Sequence, residues 1–586
     1  MAENEHNYKR FLHLLGVLFH NDNHVRSAVK VYIDAFPIKT RSFYLWNTIR
    51  NSALEENLQQ MATDLLCELI TEKFEDFYNK HPTDYRHYWK TMFLNGLKFE
   101  VVEGIRSKIG HVSITFARKL MSAEGICLWP EFLNFIFESA SNGTPTFQIS
   151  SLQMFGSFPG MLGNQQSQKE EIIKKFLKDC LAASSNYSVR FQAAKTFSSY
   201  VLHNRNDVVM HRHFQELIAG VIQIVAKSIQ KQEDQSLLKC VLDMVLVTPA
   251  LFRLKINILL KKCTQAVDNG SLQDSWRQLV LEVIVTIAET APENFLEEGI
   301  TLFPIVIPTI LTMMTELDDD ESVVNVNSKK AEIALVRLAR GIGSASVYPH
   351  LIQRLPVMLT HTDWRVRHAG ITAICAVGEC CRNEMIPLLN GILEHILHFL
   401  RDEEPAVRLA ACSGVVKMLK DFYPSLHLNN HQQIIPKLLT VMDDVNGRVQ
   451  EEGTYAVIIF CEKCPKTIIK LYGNLITGKL EELGFAWALN KIRSLIGQIA
   501  GCVPQSAILQ SKNVELIRKN DPKYYKQRLF GFLSQSVGTS CTIKCEKKDG
   551  RYRATLTVYG EGEPVVGVHD HRVDAEIQAC IKYINP

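Results

Sequence analysis

Pairs of cysteine and histidine are the side chains of this sequence best suited to bind a metal. Three pairs are spaced closely enough to share an ion: Cys461 with Cys464, His211 with His213, and His569 with His571. A structural zinc site needs four ligands, and no second pair follows any of these at a recognisable spacing. We therefore interpret the thiols as structural and the histidines as exposed, and we expect neither a metal nor a cofactor.

The residue patterns of common enzymes are also absent from the sequence. It contains no glycine-rich loop of the kind that cradles phosphates, no Gly-x-Ser-x-Gly elbow and no paired carboxylates in a plausible cleft. Without such residues there is no group to act as nucleophile, acid or base. We conclude from the sequence that the protein is not an enzyme.

Composition and charge favour a protein of the cell interior that binds other macromolecules locally. The 586 residues include 65 Lys and Arg against 62 Asp and Glu, so the net charge of +3 gives no global attraction to nucleic acid or membrane. The 15 cysteines are scattered without a disulfide spacing, which favours reduced thiols. The start lacks a secretory signal, and the longest apolar run, residues 303–314, is interrupted by Pro304 and Pro308. We expect no membrane insertion.

A short motif recurs along the chain and predicts a repeat architecture. Asp363-Trp-Arg-Val-Arg-His-Ala-Gly is followed by a close copy at Glu404 and a fainter one at Asn446, and taking Val366, Val407 and Val449 as equivalent gives steps of 41 and 42 residues. HEAT and armadillo units have periods of roughly 40 to 47 residues. Similar Val-Arg pairs occur upstream at 25–26 and 189–190. The sequence therefore predicts an α-helical HEAT solenoid that begins near the N-terminus.

The helices of such an array must position any binding residues. Val and Ala at helical spacing pack one helix on its partner, and no sustained strand alternation occurs before about residue 520. Solenoids present an extended concave surface built from one helix of each pair, and they use it to wrap other proteins. Trp364, Arg367 and Arg408 are our candidates for this face, although the same side chains could instead stabilise the stacking of repeats.

Several segments resemble the importin-β superfamily, in particular its importin-5 (karyopherin β3) type. The resemblance is carried by residues 363–380 and 277–291, by Ile49-Arg-Asn-Ser-Ala with Gln60-Met-Ala-Thr-Asp, by Phe158-Pro-Gly-Met-Leu-Gly-Asn, and by residues 460–467. These segments follow the order of the family, and the resemblance spans about residues 8–500, with the importin-β N-terminal region at about 8–90. It implies a HEAT solenoid over residues 1–505.

The resemblance also implies partners. Proteins of this family bind Ran-GTP, protein cargo with basic nuclear localisation signals, and nucleoporins, and they move between cytoplasm and nucleus through the nuclear pore. The family has an acidic loop that couples Ran binding to cargo release, and a short acidic segment stands in the matching place here: Asp318, Asp319, Asp320 and Glu321. A cluster of carboxylates could meet a basic patch on Ran or cargo, or it could be a solvated loop between helices.

The tail has a different character. After a linker at residues 506–520, the sequence predicts a helix at 524–537, strands at 541–546, 552–558 and near Val565, a hairpin turn at Asp549-Gly550, and a last helix over residues 573–584. This α-β-β-β-α order resembles a double-stranded-RNA-binding domain. We expect a small α+β domain over residues 521–586.

Such domains read duplex RNA with helix one, the loop between the first strands and the start of helix two. The matching basic residues are Lys523, Lys526, Arg528, Lys547, Lys548, Arg551 and Arg572. The usual lysine cluster of helix two is replaced here by Asp570-His-Arg-Val-Asp, so the domain could bind RNA, dock a protein or cap the last repeat. Two functions follow: a nuclear import receptor that binds Ran-GTP and cargo, which could be RNA-bound, or a Ran-independent HEAT scaffold that recruits proteins to double-stranded RNA.

Overall fold

The computed structural model describes residues 2–182, 186–317, 326–500, 541–548, 551–558 and 565–569. Within them the chain is a succession of helices up to residue 500. The first helices are α1 Ala2–Val17, α2 Asn23–Asp34, α3 Ile38–Arg50, α4 Glu56–Glu72, α5 Thr83–Phe99, α6 Glu103–Lys119, α7 Pro130–Asn142, α8 Pro145–Ser157, α9 Gln166–Leu181, α10 Tyr187–His203, α11 Val208–Phe214, α12 Ile218–Lys231, α13 Ser236–Val247 and α14 Ile256–Val267. The later helices are α15 Asp274–Thr290, α16 Pro292–Met314, α17 Val326–Ile342, α18 Ser344–Leu359, α19 Trp364–Ala376, α20 Arg382–Met385, α21 Leu389–His398, α22 Pro405–Asp421, α23 Ser425–Asn429, α24 His431–Val441, α25 Gly447–Lys463, α26 Lys466–Glu482 and α27 Ala486–Ala500.

Polar side chains cap the N-termini of several of these helices. Asp22, Asn186 and Asp363 accept hydrogen bonds from the backbone N–H groups two residues further on, at 2.8, 2.8 and 2.9 Å. Each cap satisfies an N–H group that the first helical turn leaves without an acceptor. The caps stand immediately before the recurring Val-Arg motif, so the motif marks the start of a helix in each copy.

Helices pair into hairpins, and the hairpins stack in two layers. In one layer α4, α6, α8, α10, α13, α15, α17, α19 and α22 pack each on the next, and we call it the ladder layer. In the other layer α7, α9, α12, α14, α16 and α18 follow one another, each against its ladder partner. This arrangement confirms the predicted HEAT solenoid.

The core lies between the two layers. It is aromatic in the first repeats, where Trp89, Phe93, Phe116 and Trp129 are fully buried and contact one another, and it is largely aliphatic further on. Of the motif valines, Val189, Val407 and Val449 are buried as expected. Helix α16 continues through Pro304 and Pro308 without a break. No helix among the described residues is both long and apolar enough to cross a membrane.

The chain divides into two compact units. One comprises Met1–Leu426 with Asp444–Glu452, and the other comprises His427–Asp443 with Gly453–Pro586. The second unit contains three antiparallel strands in the order β1-β2-β3, with β1 Cys541–Lys548, β2 Arg551–Val558 and β3 Val565–His569. The strands lie where the sequence predicted them, whereas the two predicted flanking helices and the linker lie outside the described residues.

Candidate partner-binding surface

The acidic segment leaves the solenoid between α16 and α17. Its residues 318–321 lie outside the described part of the chain, but both of its flanks are described. Asn327 Nδ2 donates to Glu316 Oε2 at 2.9 Å, and Ser328 Oγ donates to the Met314 carbonyl at 2.9 Å. The two ends of the segment are therefore tied to each other by hydrogen bonds.

Arg277 of α15 joins these two ends of the acidic segment to the preceding repeat. Its guanidinium donates to both carboxylate oxygens of Glu316, with Nη1 to Oε2 at 2.9 Å, and its Nε donates to the Val267 carbonyl at 2.8 Å. The hydrogen bond with Glu316 raises the pKa of the buried arginine, against the opposing effect of burial. Gln278 Nε2 also donates to Asn327 Oδ1 at 2.6 Å. The negative charge of Glu316, which precedes the acidic segment, is thus already compensated by Arg277.

Helix α19 of the ladder layer also contacts the start of the acidic segment. Arg365 Nε donates to the Leu317 carbonyl at 3.1 Å, and its guanidinium lies 4.9 Å from the ring centroid of Trp364. The ring of Trp364 is partly exposed. This cation–π contact places one concave-face candidate, Trp364, next to the point where the acidic segment leaves the fold.

The other two concave-face candidates, Arg367 and Arg408, join neighbouring repeats. Arg367 donates to both oxygens of Asp402 at 2.7 and 2.8 Å, and Arg408 donates to both oxygens of Asp444 at 2.6 and 2.8 Å. Each guanidinium also donates to two carbonyls of the preceding turn. Bidentate, largely buried pairs of this kind fix one repeat on the next, which favours the structural alternative for both arginines.

Further ion pairs cross the ladder layer, and no sequence pattern predicted them. Glu332 of α17 accepts from Lys329 at 2.7 Å and from Lys417 of α22 at 2.5 Å. The remaining pairs join Arg337 to Glu282 and Glu289, and Arg340 to Glu379. Apart from the local pair of Lys329 with Glu332, the partners are 39 to 85 residues apart, so no local signal reveals them. Much of the charge on this part of the ladder layer is neutralised within the solenoid.

The predicted RNA-contacting residues fall only partly within the described chain. Lys547 is exposed on β1, and Lys548 pairs in register with Arg551 of β2 across the predicted turn. The structure thus brings these three residues together at one end of a β-hairpin. The other candidates lie outside the described residues: Lys523, Lys526, Arg528 and Arg572.

Packing accounts for the possible metal ligands Cys461, Cys464 and His211, whereas His571 lies outside the described residues. Burial raises the pKa of both the Cys461 and the Cys464 thiol to about 12, which disfavours the thiolate form that zinc requires. The expected exposure is wrong for His211, which packing on its neighbours buries, and His213 Nε2 lies 3.1 Å from the Glu171 carboxylate. Where the chain is described, no three metal-ligating side chains cluster.

Comparison with known proteins adds the family context. Residues 101–262 match the family model described as IPO5-like TPR repeats, residues 269–349 match an importin repeat, and residues 364–415 match a HEAT-like repeat. Importin subunit beta-3 of Saccharomyces cerevisiae is 24% identical over 412 residues, which are 67% of this chain and 36% of that protein. A probable importin-5 homolog of Dictyostelium discoideum is 22% identical, over 53% of this chain and 30% of that protein.

The fold is similar to that of the karyopherin Kap121p. The crystal structure of Kap121p superposes with a TM-score of 0.73 at 20% identity, covering 91% of this chain and 51% of Kap121p. Kap121p has also been solved bound to RanGTP, to Pho4p and to Nup53p. These matches support an importin-type HEAT solenoid that corresponds to the N-terminal part of such receptors. The chain spans about half the length of Kap121p, and it covers less than half the length of the two sequence relatives.

Proposed function

We propose that this protein is a nuclear transport receptor of the importin-5 type, which binds Ran-GTP and protein cargo through its HEAT repeats. The importin repeat models matched over residues 101–349 support this role, as does the likeness to Kap121p, whose structures include complexes with RanGTP, Pho4p and Nup53p. By this proposal the chain carries cargo with basic nuclear localisation signals, contacts nucleoporins at the pore and resides in both cytoplasm and nucleus.

The position of the acidic segment is the observation that carries the Ran proposal. Its two described flanks, Glu316 and Asn327, are hydrogen-bonded to each other, and Glu316 is also held by Arg277, so the chain enters and leaves the segment at adjacent points between α16 and α17. A cluster of carboxylates focuses negative potential and attracts a basic surface. The engaged Glu316 does not contribute to that charge, and we assign the contact to residues 318–321.

A pull-down with immobilised Ran tests the proposal. We expect the full chain to be captured by Ran loaded with a non-hydrolysable GTP analogue and not by Ran-GDP. The Asp319→Lys/Asp320→Lys variant should bind the GTP form about threefold to tenfold more weakly, as expected when two exposed ion pairs are lost. The matched control Asp243→Lys/Glu394→Lys reverses two exposed carboxylates on α13 and α21 and should bind normally. Equal capture of both nucleotide forms would contradict a working receptor.

A second candidate function rests on the antiparallel sheet. Three strands in sequential order, with Lys547, Lys548 and Arg551 at one hairpin end, suit the loop of a duplex-RNA-binding domain. The alternative is therefore a scaffold, not cycling with Ran, that recruits proteins to double-stranded RNA.

A gel shift with a duplex RNA across a salt series tests this alternative. We expect a shift at low salt that weakens steeply as salt rises, because phosphate contacts release counterions. Lys547→Glu/Lys548→Glu should abolish the shift, while the exposed lysines of α14 provide the matched control Lys261→Glu/Lys262→Glu. If the unaltered chain gives no shift even at low salt, the RNA role is excluded.

A further inference from the structure

A cluster of lysines around two aromatic rings lies outside the surfaces discussed so far. It consists of Tyr187, Phe191 and Lys195 on α10 with Lys227 and Lys231 at the end of α12, and we call it the lysine–aromatic patch. The spacing of four residues puts the three α10 side chains on one face of the helix. The two ring centroids are 6.0 Å apart, and both rings are only partly buried.

The ammonium groups of the patch are placed against the rings. Lys231 Nζ lies 4.1 Å and Lys227 Nζ lies 5.7 Å from the ring centroid of Tyr187, while Lys195 Nζ lies 5.7 Å from that of Phe191. Cation–π attraction holds each amine near a ring despite the like charge of the other lysines. Three positive charges are thus grouped on one surface, each beside an aromatic ring.

Carboxylates compensate this charge only in part. Lys231 Nζ is 3.5 Å from Glu233 Oε1, whereas no carboxylate in the described chain forms an ion pair with Lys195 or Lys227. Asp234 also lies nearby, but its two oxygens accept from the Ser236 backbone N–H and hydroxyl, both at 2.8 Å. Burial acts to raise the pKa of Asp234, yet these hydrogen bonds and the charges of Lys195 and Lys239 lower it, so its negative charge offsets part of the charge of Lys195.

Lysines on the preceding hairpin show the opposite arrangement. Lys174 and Lys178 of α9 lie 3.1 and 3.5 Å from the same carboxylate oxygen of Glu216. The hydrogen bond from Lys174 is the main cause of the lowered pKa of Glu216. Lys174 and Lys178 are therefore both engaged in ion pairs, whereas no ion pair in the described chain engages Lys195 or Lys227.

We propose that the lysine–aromatic patch binds an acidic peptide segment of a partner protein. Carboxylate side chains can reach the unpaired amines at the edges of the rings and form charge-assisted hydrogen bonds. Nucleic acid fits less well, because its bases stack on free aromatic faces and Lys231 covers a face of Tyr187. This surface is separate from the acidic segment, and the inference does not depend on Ran binding.

Fluorescence anisotropy with a fluorescein-labelled octaglutamate peptide tests the proposal on the full chain. We expect saturable binding at low ionic strength that is lost at high salt, where charges are screened within a few ångströms. Lys195→Glu/Lys227→Glu/Lys231→Glu should weaken binding about tenfold or more, since three attractive contacts become repulsive. The matched control Lys175→Glu/Lys261→Glu/Lys262→Glu makes the same change of charge at three exposed lysines elsewhere and should leave binding within about twofold of the unaltered chain.

Two kinds of result would overturn the inference. The first is equal weakening of peptide binding by both triple variants, or no binding by the unaltered chain, because the patch would then have no special affinity. The second is binding of a labelled single-stranded oligonucleotide, in place of the peptide, that depends on Lys195, Lys227 and Lys231. Circular dichroism of each variant should show unchanged helix, so that a loss of binding reports on the surface.

Discussion

At the scale of single residues, arginines and one histidine show how the repeats are held together. Arg367 and Arg408 each bridge to an aspartate of the next repeat and to carbonyls of the preceding turn, so two repeats share one pattern of contacts. Between them on the ladder layer, His368 has a buried Nδ1 without a hydrogen-bond partner in the described chain. Burial lowers the pKa of His368 to about 4, although nearby Glu332 acts to raise it.

His368 should make the solenoid sensitive to mild acid. A histidine in the unfolded chain has a pKa of about 6.5, so below that pH the unfolded state binds a proton that the folded state does not. The free energy of unfolding should therefore fall as the pH drops from about 6.5 to about 4, by roughly 1.4 kcal/mol per unit of pKa difference. Thermal unfolding of the unaltered chain at pH 7 and pH 5 measures this loss, and His368→Gln should reduce it.

The comparison rests on the change between the two pH values, since glutamine also alters stability at neutral pH. His398→Gln, at an exposed histidine of α21, is the matched control and should keep the full loss. If the His368→Gln variant lost as much stability as the control between pH 7 and pH 5, His368 would not be the group that takes up the proton.

At the scale of helices, close packing within the ladder layer decides which residues are tolerated. Gly341 near the end of α17 faces the backbone of α15, and a Cβ atom added there would lie 2.8 Å from the Ala288 carbonyl oxygen. Backbone atoms cannot rotate away as a flexible side chain can. The neighbouring helices must therefore separate if this position carries any side chain.

Gly341→Ala should destabilise the repeat pair. Overpacking of a close contact typically costs about 1 to 3 kcal/mol, more than the helix propensity that alanine gains. The matched control is Gly391→Ala in α21, where an added Cβ meets no atom within 4 Å and alanine should stabilise by up to about 1 kcal/mol. Thermal midpoints that move in opposite directions are expected. A rise in the midpoint of Gly341→Ala would show that α15 and α17 are not in close contact.

At the scale of the whole chain, charge is distributed unevenly over the surface. Ion pairs neutralise much of the ladder layer between α15 and α22, whereas the lysine–aromatic patch keeps excess positive charge and the acidic segment adds negative charge. A net charge of +3 conceals these local differences. We therefore expect partners to bind at particular turns of the solenoid. The lysine–aromatic patch on α10 and α12 should prefer acidic partners, and the acidic segment before α17 should prefer basic ones.

The sequence by itself determined the architecture. Copies of one motif at steps of 41 and 42 residues predicted stacked hairpins, because a repeat that cannot bury its apolar face alone must pack on its neighbours. Alternating residues around Asp549-Gly550 predicted a hairpin, and β1 and β2 form it. Both predictions use short-range periodicity, which is the property of a sequence most directly linked to local structure.

Only the tertiary structure decided which charged residues remain available to partners. Arg367 and Arg408 have the types and positions of binding residues, yet Asp402 and Asp444 occupy them. Conversely, nothing in the sequence singled out Lys227, which the packing of α10 against α12 places beside the ring of Tyr187. The partners in these contacts are separated by about one repeat, and their meeting depends on the register in which helices stack, which local residue patterns do not specify.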